Sequence, residues 1–310
     1  MDIRLTSQAR AALVVAHPGH ELRVHGWLQA SRPAVFVLTD GSGRSSTSRL
    51  QASTQVLADL GLRPGSLFGA RRDLEFYDAF LKRDFPFFSD LAEQLAVEFG
   101  EQEFQCVVGD AAEGYSPTHD VCRLLIDAAV EIHRRRTGNQ LANFEFAVVG
   151  PPDECPPELA VDAAWYHLDD ETFDRKIAAV RGYNAELAGE IEAALRGASF
   201  QGVSRLSGPR LAEATDTELG RQVAAVLHTF PAIEEIVKGT FEGIELNRFR
   251  TECLRPVTPH AARSARRATI PFYELYGEQM VAAGHYRDTI RYAEHFQPLV
   301  AAVWQRVAAC

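Results

Sequence analysis

The feature that most constrains this chain is the alternation, through its first half, of short apolar runs with amphipathic stretches. The apolar runs at residues 11–16, 34–38, 104–108 and 144–149 are predicted strands, and helices are predicted over 21–30, 45–60, 89–99 and 119–136. Such alternation is typical of parallel βαβ units. We therefore predict an α/β fold with a Rossmann-like, mostly parallel sheet flanked by helices. The aromatic-rich stretch 67–88 shows neither the alternation typical of a strand nor the periodicity typical of a helix, and it is predicted to be irregular.

The second half of the chain has a different pattern. Four prolines between residues 151 and 157 interrupt the alternation, because proline lacks the backbone N–H that helices and sheets both use. Helical periodicity then dominates at 171–196, 219–230 and 271–309. Candidate boundaries lie at 197–210 and near 255. We predict an α/β domain over residues 1–200, or to about 255 with the later boundary, and a mainly helical C-terminal extension or lid over 201–310.

Two histidines stand where the first predicted strand ends. Residues 11–16 run directly into His17-Pro18-Gly19-His20, so both imidazoles emerge at one strand terminus. In open α/β sheets, functional side chains gather beyond the carboxyl ends of the strands. His119 meets the same condition, because it lies at the start of a helix after strand 104–108. The three side chains are therefore candidates to bind one metal ion, for which neutral imidazole is a common ligand.

The same segment carries a family resemblance. The run Ala16-His17-Pro18-Gly19-His20-Glu21 resembles the A-H-P-D-D-E signature of the PIG-L/LmbE-type zinc deacetylases. Further segments agree with that family in order: Thr39-Asp40-Gly41, Arg49 with Leu60-Gly61, Ser116-Pro117-Thr118-His119, and Lys176 with Ala179 and Tyr183. The resemblance spans residues 9–190. It implies an LmbE-like fold, a zinc cofactor, and removal of acetyl from N-acetylglucosaminyl and related groups.

Carried over position by position, the resemblance implies a changed metal site. In the family the first histidine, the second acidic residue and the last histidine bind zinc, so His17 and His119 are implied ligands. His20 occupies the acidic position, which turns the ligand set into three histidines. Three imidazoles with an open fourth position still suit zinc. Gly19 stands where the family has its general base, and Ser116 stands where it has an oxyanion-assisting histidine.

A substitute base must then come from elsewhere in the chain. Five acidic residues fall near predicted strand ends: Glu21, Asp40, Asp110, Glu113 and Asp120. Glu21, which has a family counterpart, and Asp110, which ends a strand, are the first candidates for a catalytic role. Tyr115 and Ser116 are candidate donors to an oxyanion. Arg49, which also has a family counterpart, is the candidate for substrate binding.

These features predict a zinc-dependent amide hydrolase, deacetylase-like, that acts on a small-molecule N-acylated amino sugar or glycoconjugate. Zinc-activated water would act with a non-standard general base. The alternatives are a different Lewis-acid reaction on the same scaffold, or a non-catalytic protein of the same fold that binds a sugar or a partner. Imidazole also suits iron, copper and nickel, so the residues leave the identity of the metal open.

Net charge and composition indicate which partners and which cellular compartment suit this chain. The net charge of −10 argues against a nucleic-acid partner, because phosphate binding needs a basic surface. No apolar run approaches the roughly 18 residues that a membrane span requires. Five cysteines without paired spacing favour free thiols in a reducing compartment. We expect a cytoplasmic protein, and a homo-oligomer is compatible with these features.

Overall fold

The computed structural model of the chain describes residues 9–43, 47–184, 245–257 and 270–310. Its strands are β1 (Ala11–Val15), β2 (Ala34–Thr39), β3 (Pro64–Arg71), β4 (Cys106–Asp110), β5 (Ala142–Phe146), β6 (Ala164–His167) and β7 (Thr251–Pro256). They form one sheet in the order β3-β2-β1-β4-β5-β7-β6. The first five in that order are parallel, whereas β7 is antiparallel to both β5 and β6. The predicted α/β fold with a mostly parallel sheet is confirmed.

Helices flank this sheet. They are α1 (His25–Ser31), α2 (Leu50–Asp59), α3 (Asp73–Leu81), α4 (Phe85–Glu101), α5 (Pro117–Thr137) and α6 (Asp170–Tyr183). The helix predicted over 21–30 is divided, because a 3-10 turn at His20–Val24 precedes α1. The helix predicted over 219–230 and the end of the one predicted over 171–196 lie outside the described residues.

Both faces of the central strands are buried. In β1, Ala12 and Val14 pack into one hydrophobic cluster with residues of α4 and α5. Leu13 and Val15 point to the opposite face and pack with Trp27 of α1. Because helices cover the sheet on both sides, a central strand is apolar at every position rather than at alternate ones. This explains why the apolar runs of β1, β2 and β4 were recognisable in the sequence.

The stretch 67–88 is not irregular, which corrects the prediction made from its pattern. It holds most of β3, all of α3 and the start of α4. The edge strand β3 has only one buried residue, Leu67, so its sequence shows no apolar run. The helix predicted over 89–99 begins earlier, at Phe85, and the Asp84 carboxylate accepts a hydrogen bond from the Phe87 N–H at 3.3 Å.

The C-terminal end is helical, as predicted, but in two helices rather than one continuous stretch. They are α7 (Phe272–Ala282) and α8 (Gln297–Ala308), and a π-helical turn at Tyr292–Phe296 leads into α8. Leu299, Val303 and Val307 of α8 are buried in the cluster that also contains the inner faces of α4 and α5. This end of the chain therefore packs on α4 and α5, the helices that cover one face of the sheet.

Strand β7 was not predicted, and it brings a distant part of the chain into the sheet. Its Glu252 is fully buried and accepts hydrogen bonds from the N–H groups of Gly26 and Trp27, each at 2.8 Å. The ammonium of Lys176, also fully buried, lies 2.7 Å from the same carboxylate. This ion pair joins β7, α1 and α6, although the division of the chain into two domains stays a prediction.

Among the residues that the structure describes, no helix combines the length and the apolarity that crossing a membrane requires.

Candidate functional site

The candidate site lies where the sheet order reverses. The chain passes from β1 outward through β2 to β3, and β4 then returns to the other side of β1. In such sheets a crevice opens between the carboxyl ends of the two strands at the reversal, and ligands bind there. His17 lies two residues beyond the end of β1, and Asp110 is the last residue of β4. A hydrogen bond from the Ala16 N–H to Asp110 Oδ2, at 2.8 Å, closes the base of this crevice.

Three imidazole rings meet in the crevice. The ring centres of His17 and His20 lie 5.4 Å apart, those of His17 and His119 lie 5.3 Å apart, and those of His20 and His119 lie 4.6 Å apart. If zinc stood about 2.0–2.1 Å from one nitrogen of each ring with tetrahedral angles, two ring centres would be separated by about 5 Å. The fold thus gathers the three predicted ligands at the spacing that one zinc ion requires.

The protonation of His17 follows from its neighbours. Its Nδ1 lies 2.7 Å from the Thr39 hydroxyl oxygen and 3.1 Å from a carboxylate oxygen of Asp73. The Thr39 hydroxyl also lies 3.0 Å from the Ala16 carbonyl oxygen, to which it donates. Because Nδ1 faces two acceptors, it carries the proton, and the Nε2 lone pair is left free to bind a metal ion.

His20 is held in the same way. Its Nδ1 lies 2.8 Å from Asp110 Oδ2, so the imidazole donates to a carboxylate and again keeps its Nε2 lone pair. A carboxylate behind a metal-binding histidine fixes the ring orientation and raises its basicity. Burial lowers the pKa of His20, although Asp110 opposes the shift. The neutral ring, the form that coordinates a metal, is thereby favoured.

His119 differs from the other two rings in the surroundings of its Nδ1. It is only 6% exposed, yet its Nδ1 has no hydrogen-bond partner among the described residues. Burial lowers its pKa well below the usual value, and the nearby His20 and His17 add to the effect. A buried nitrogen without a partner is costly unless something else satisfies it. A metal ion beside His17 and His20 would do so.

The spacing of the three ring centres is compatible with one metal ion, but the side chains are not arranged as a formed site. Among the described residues, no group of three or more His, Cys, Asp or Glu side chains is arranged so that it could hold a metal ion as it stands. The three imidazoles fit a metal ion in their chemistry and in the distances between their ring centres. Binding would require the side chains to rearrange.

The backbone conformation of the loop between His17 and His20 explains why residue 19 is glycine. Gly19 has φ of 104°, a conformation that side-chain-bearing residues rarely adopt. A Cβ at this position would also lie 3.1 Å from the Tyr183 hydroxyl. Glu21 holds the loop from below, because its fully buried carboxylate accepts from the Gly19 N–H at 2.7 Å and from the Ser53 hydroxyl. Position 19 therefore has no space for an acidic side chain without rearrangement.

Each of the five acidic residues that the sequence nominated as a base accepts a main-chain hydrogen bond. The N–H donors are Gly19 for Glu21, Ser42 and Asp73 for Asp40, Ala16 for Asp110, Val148 and Val149 for Glu113, and Gly114 for Asp120. Burial raises the pKa of Glu113 to about 7, but the charged groups that act on it are Arg255 and Arg23 rather than the histidines. These carboxylates brace the loops around the crevice.

Arg49 brings a positive charge to the site. Its Nε donates to the Gly41 carbonyl oxygen at 2.7 Å. A Cβ on Gly41 would lie 2.8 Å from both Arg49 Nε and Pro18 Cδ, so the guanidinium stands next to the loop that joins His17 and His20. Gly41, with φ of 64°, admits this close approach. The predicted substrate-binding residue thus lies beside the predicted metal ligands.

Tyr115 and Ser116 lie at the rim on the side of His119. The Tyr115 ring centre is 6.2 Å from that of His119. Ser116 precedes the first residue of α5, and its side chain does not cap the helix. Both side chains are half-exposed. Both predicted oxyanion donors therefore border the crevice.

Three side chains that contact this site were not assigned a role from the sequence: Thr39, Ser53 and Asp73. Thr39 belongs to a segment quoted for the family resemblance, but nothing in that segment indicates a contact with His17. Asp73 opens α3, inside the stretch that was taken as irregular, and recognising that helix start would have nominated it. Ser53 has no distinguishing pattern, because it is one of several small polar residues on α2.

Comparison with known proteins gives a limited result. No protein-family model matches the chain, and no curated protein matches it. A similar shape is found in the antimicrobial reagent A40926 pseudoaglycone deacetylase Dbv21, at 14% identity and a TM-score of 0.40, covering 81% of this chain and 97% of that one. Another occurs in a deacetylase triple mutant (Orf2*T) of the teicoplanin biosynthetic pathway, at 13% identity and a TM-score of 0.38, covering 59% and 84%. At these scores neither likeness identifies the reaction of this chain.

Proposed function

We propose that this protein is a zinc-dependent amide hydrolase, deacetylase-like, that acts on an N-acylated amino sugar or glycoconjugate. The observation that carries the proposal is the cluster of His17, His20 and His119 at the reversal point of the sheet. In two of its rings Nε2 is the unprotonated nitrogen, because neighbouring acceptors receive a hydrogen bond from Nδ1–H and so hold the ring proton there. Three neutral imidazoles with an open fourth position form a donor set that suits catalytic zinc.

His17 and His20 would hold the ion through Nε2, and His119 would complete the set. When bound, zinc supplies polarisation of the substrate carbonyl and acidification of a water molecule. Asp110 orients His20, while Thr39 and Asp73 orient His17. These neighbours are positioning residues, since each acts on a ring rather than on a substrate.

The groups that would face substrate lie at the rim. No carboxylate among the described residues pairs with Arg49 within 4.0 Å; its Nε donates to a carbonyl oxygen. Its charge is thus available to stabilise negative charge that develops on a carbonyl oxygen, or to bind an anionic group of the substrate. The hydroxyls of Ser116 and Tyr115 would donate hydrogen bonds on the other side of the same opening.

Proton transfer is the step with the weakest candidate residues among those that the structure describes. Glu21 and Asp110, the first candidates for the base, are both fully buried and hold main-chain N–H groups. We assign them positioning roles. A reaction without a dedicated base is expected to lose about 10²–10⁴-fold in rate relative to one that has it. We therefore expect slow turnover, or a substrate whose leaving group needs little help.

A second candidate function is metal-dependent chemistry other than hydrolysis, or sugar binding without catalysis. The observation that favours it is the Gly19 backbone at φ of 104°, with Tyr183 against it. Gly19 leaves this position without the general base of the PIG-L/LmbE family, and the backbone conformation disfavours an acidic side chain there. Amine release separates the two candidates.

The test is metal content per chain together with amine release from N-acetylglucosaminyl conjugates. We expect about one zinc ion per chain in the wild type, a large loss of zinc in His20→Ala, and release of amine by the wild type but not by His20→Ala. The matched control is His133→Ala, which removes a buried histidine near the other end of the same helix that carries His119. Its zinc content should not change.

The possible outcomes test the metal site, the hydrolase activity and the ligand set separately. If the purified wild type holds no transition metal even after incubation with zinc, the metal site is refuted. If zinc binds and falls away in His20→Ala, but no conjugate releases amine, the hydrolase is refuted and the second candidate function is favoured. If His20→Ala retains full zinc content, the three-histidine ligand set is wrong.

A further inference from the structure

The C-terminal part of the chain reaches the rim of the candidate site. Helix α7 begins at Phe272, and the N–H of the next residue, Tyr273, donates to the Gly114 carbonyl oxygen at 3.3 Å. The loop that contains Gly114 leads into α5 and His119. Tyr273 is itself buried in the core cluster. The start of α7 is therefore fixed beside the loop that carries part of the site.

This docking builds a row of parallel aromatic rings. The Tyr115 and Phe272 rings are 5.3 Å apart between centres and only 3° from parallel. The Phe272 and Tyr276 rings follow at 5.8 Å and 16°. Rings in direct face contact would have their centres closer together, so each ring is displaced sideways and part of its face stays uncovered. All three side chains are half-exposed.

The row starts at the histidine cluster and leads away from it. Its first member, Tyr115, is the ring whose centre lies 6.2 Å from that of His119. Phe272 and Tyr276 stand one turn apart on α7, so their order along the row is fixed by the helix. A molecule whose reacting group sits at the histidines would extend across these rings.

We propose that Tyr115, Phe272 and Tyr276 form an aromatic subsite that binds the apolar face of a sugar ring in the substrate. The proposal rests on the proposed function and narrows it: the substrate carries at least one sugar ring beyond the group that reacts. Sugar rings present a face of C–H groups whose partial positive charge complements the negative face of an aromatic ring. Their hydroxyls remain directed toward solvent and toward polar groups at the edge.

The composition of the row favours a sugar over a hydrocarbon chain. Two of the three rings are tyrosines, which offer hydroxyls at the edge of the stacked surface. An alkyl chain gains most from an enclosed apolar pocket, whereas these rings stay half-exposed, with Ser116 next to Tyr115 along the chain. A partly exposed row of aromatic rings with hydroxyl groups at its edge is what a sugar ring complements.

The test is binding of cellotriose, a neutral trisaccharide with no amide group, measured by calorimetry or ligand-observed NMR on the full chain. Phe272→Leu keeps apolar volume but removes the ring, and should weaken binding by about 2–10-fold. Phe272→Tyr keeps the ring and should bind as the wild type does. The matched control is Trp165→Leu, which removes another partly exposed aromatic side chain from the edge strand β6 and should change nothing. Thermal melting of each variant checks the fold.

Three results would overturn the subsite: no binding of cellotriose by the wild type, equal binding by Phe272→Leu, or equal loss in Trp165→Leu. Octanoate serves as the hydrocarbon probe. If it binds to the wild type and cellotriose does not, the rings bind an acyl chain instead. Because cellotriose contains no bond that an amide hydrolase cleaves, its binding is independent of amine release. Failure of the subsite and failure of the proposed hydrolase are therefore distinguishable.

Discussion

Replacing Asp110 with asparagine changes one atom of the candidate site and removes its negative charge. Asp110 Oδ2 accepts two hydrogen bonds, from Ala16 N–H and from His20 Nδ1, both at 2.8 Å. Its Oδ1 has no hydrogen-bond partner among the described residues. An asparagine with its oxygen in the Oδ2 position keeps both bonds and puts its NH₂ group where Oδ1 was. The opposite orientation would direct donors at donors.

Asp110→Asn should lower both the zinc affinity and the stability of the metal-free protein. Loss of the carboxylate behind a metal-binding histidine lowers metal affinity by about 10–100-fold, which corresponds to about 1.4–2.7 kcal/mol. The buried NH₂ group, which has no acceptor, destabilises the metal-free protein by about 1–3 kcal/mol. At roughly 2–4 °C per kcal/mol, the metal-free melting temperature falls by several degrees. The two losses should appear separately.

Zinc affinity is measured by competition with a chromogenic chelator, and stability by thermal melting with and without zinc. The control is Asp127→Asn, which alters a buried carboxylate that accepts from Asn143 Nδ2 at 2.9 Å and lies 3.2 Å from Arg123 Nε. The control should lose stability but keep its zinc affinity. If Asp110→Asn binds zinc as tightly as the wild type does, Asp110 does not orient a metal ligand, and the argument for His20 fails.

Three further predictions concern the scaffold. Lys176→Met leaves Glu252 charged, buried and without its cation, so the free energy of unfolding should fall by about 3–5 kcal/mol in denaturant titrations; a loss under half of that would contradict the pair's role. Gly19→Ala places a side chain at φ of 104° and should cost about 1–2 kcal/mol, whereas Gly182→Ala, where a Cβ meets nothing within 4 Å, should be neutral or stabilising. The pKa of Glu131 is lowered to about 2 by two arginines of its own helix. The ionised Glu131 contributes less than about 1 kcal/mol to the free energy of unfolding, because its partners are exposed. This contribution is present above pH 4.5, the pKa of the unfolded state, and is lost as the pH falls through 2. The difference in melting temperature between the wild type and Glu131→Gln should therefore disappear between pH 4.5 and pH 2, and a constant difference would contradict the prediction.

The parts of the fold that were predictable are those whose neighbours cover them completely. Strands β1, β2 and β4 lie in the centre of the sheet, so almost all of their residues are apolar and the run stands out; the polar exceptions, Thr39 and Asp110, end their strands. Helix α5 was predicted to within two residues at its start, because its hydrophobic periodicity marks it. The parts that were missed lie at edges. Strand β3 is half-exposed, and β6 has only four residues with two of them outward.

The same distinction applies to the candidate site. His17 and His20 were recognisable because a strand end and a short spacing tie them together along the chain. His119 was nominated from its place at another strand end and from a family resemblance, and the ring distances now bring the three together. Asp73 and Thr39 could not be paired with His17 by sequence, because those contacts cross between three strand ends.

The sequence by itself determined the strand-and-helix alternation and the residue types at the strand ends, since these depend on local periodicity and on neighbours along the chain. Only the tertiary structure decided the strand order, and with it the reversal between β1 and β4 that opens the crevice. It also decided which nitrogen of His17 and of His20 is unprotonated, because the proton on Nδ1 is fixed by acceptors 22 and 90 residues away. Local physics selects elements, whereas the chemistry of a site depends on groups that meet only when distant segments pack.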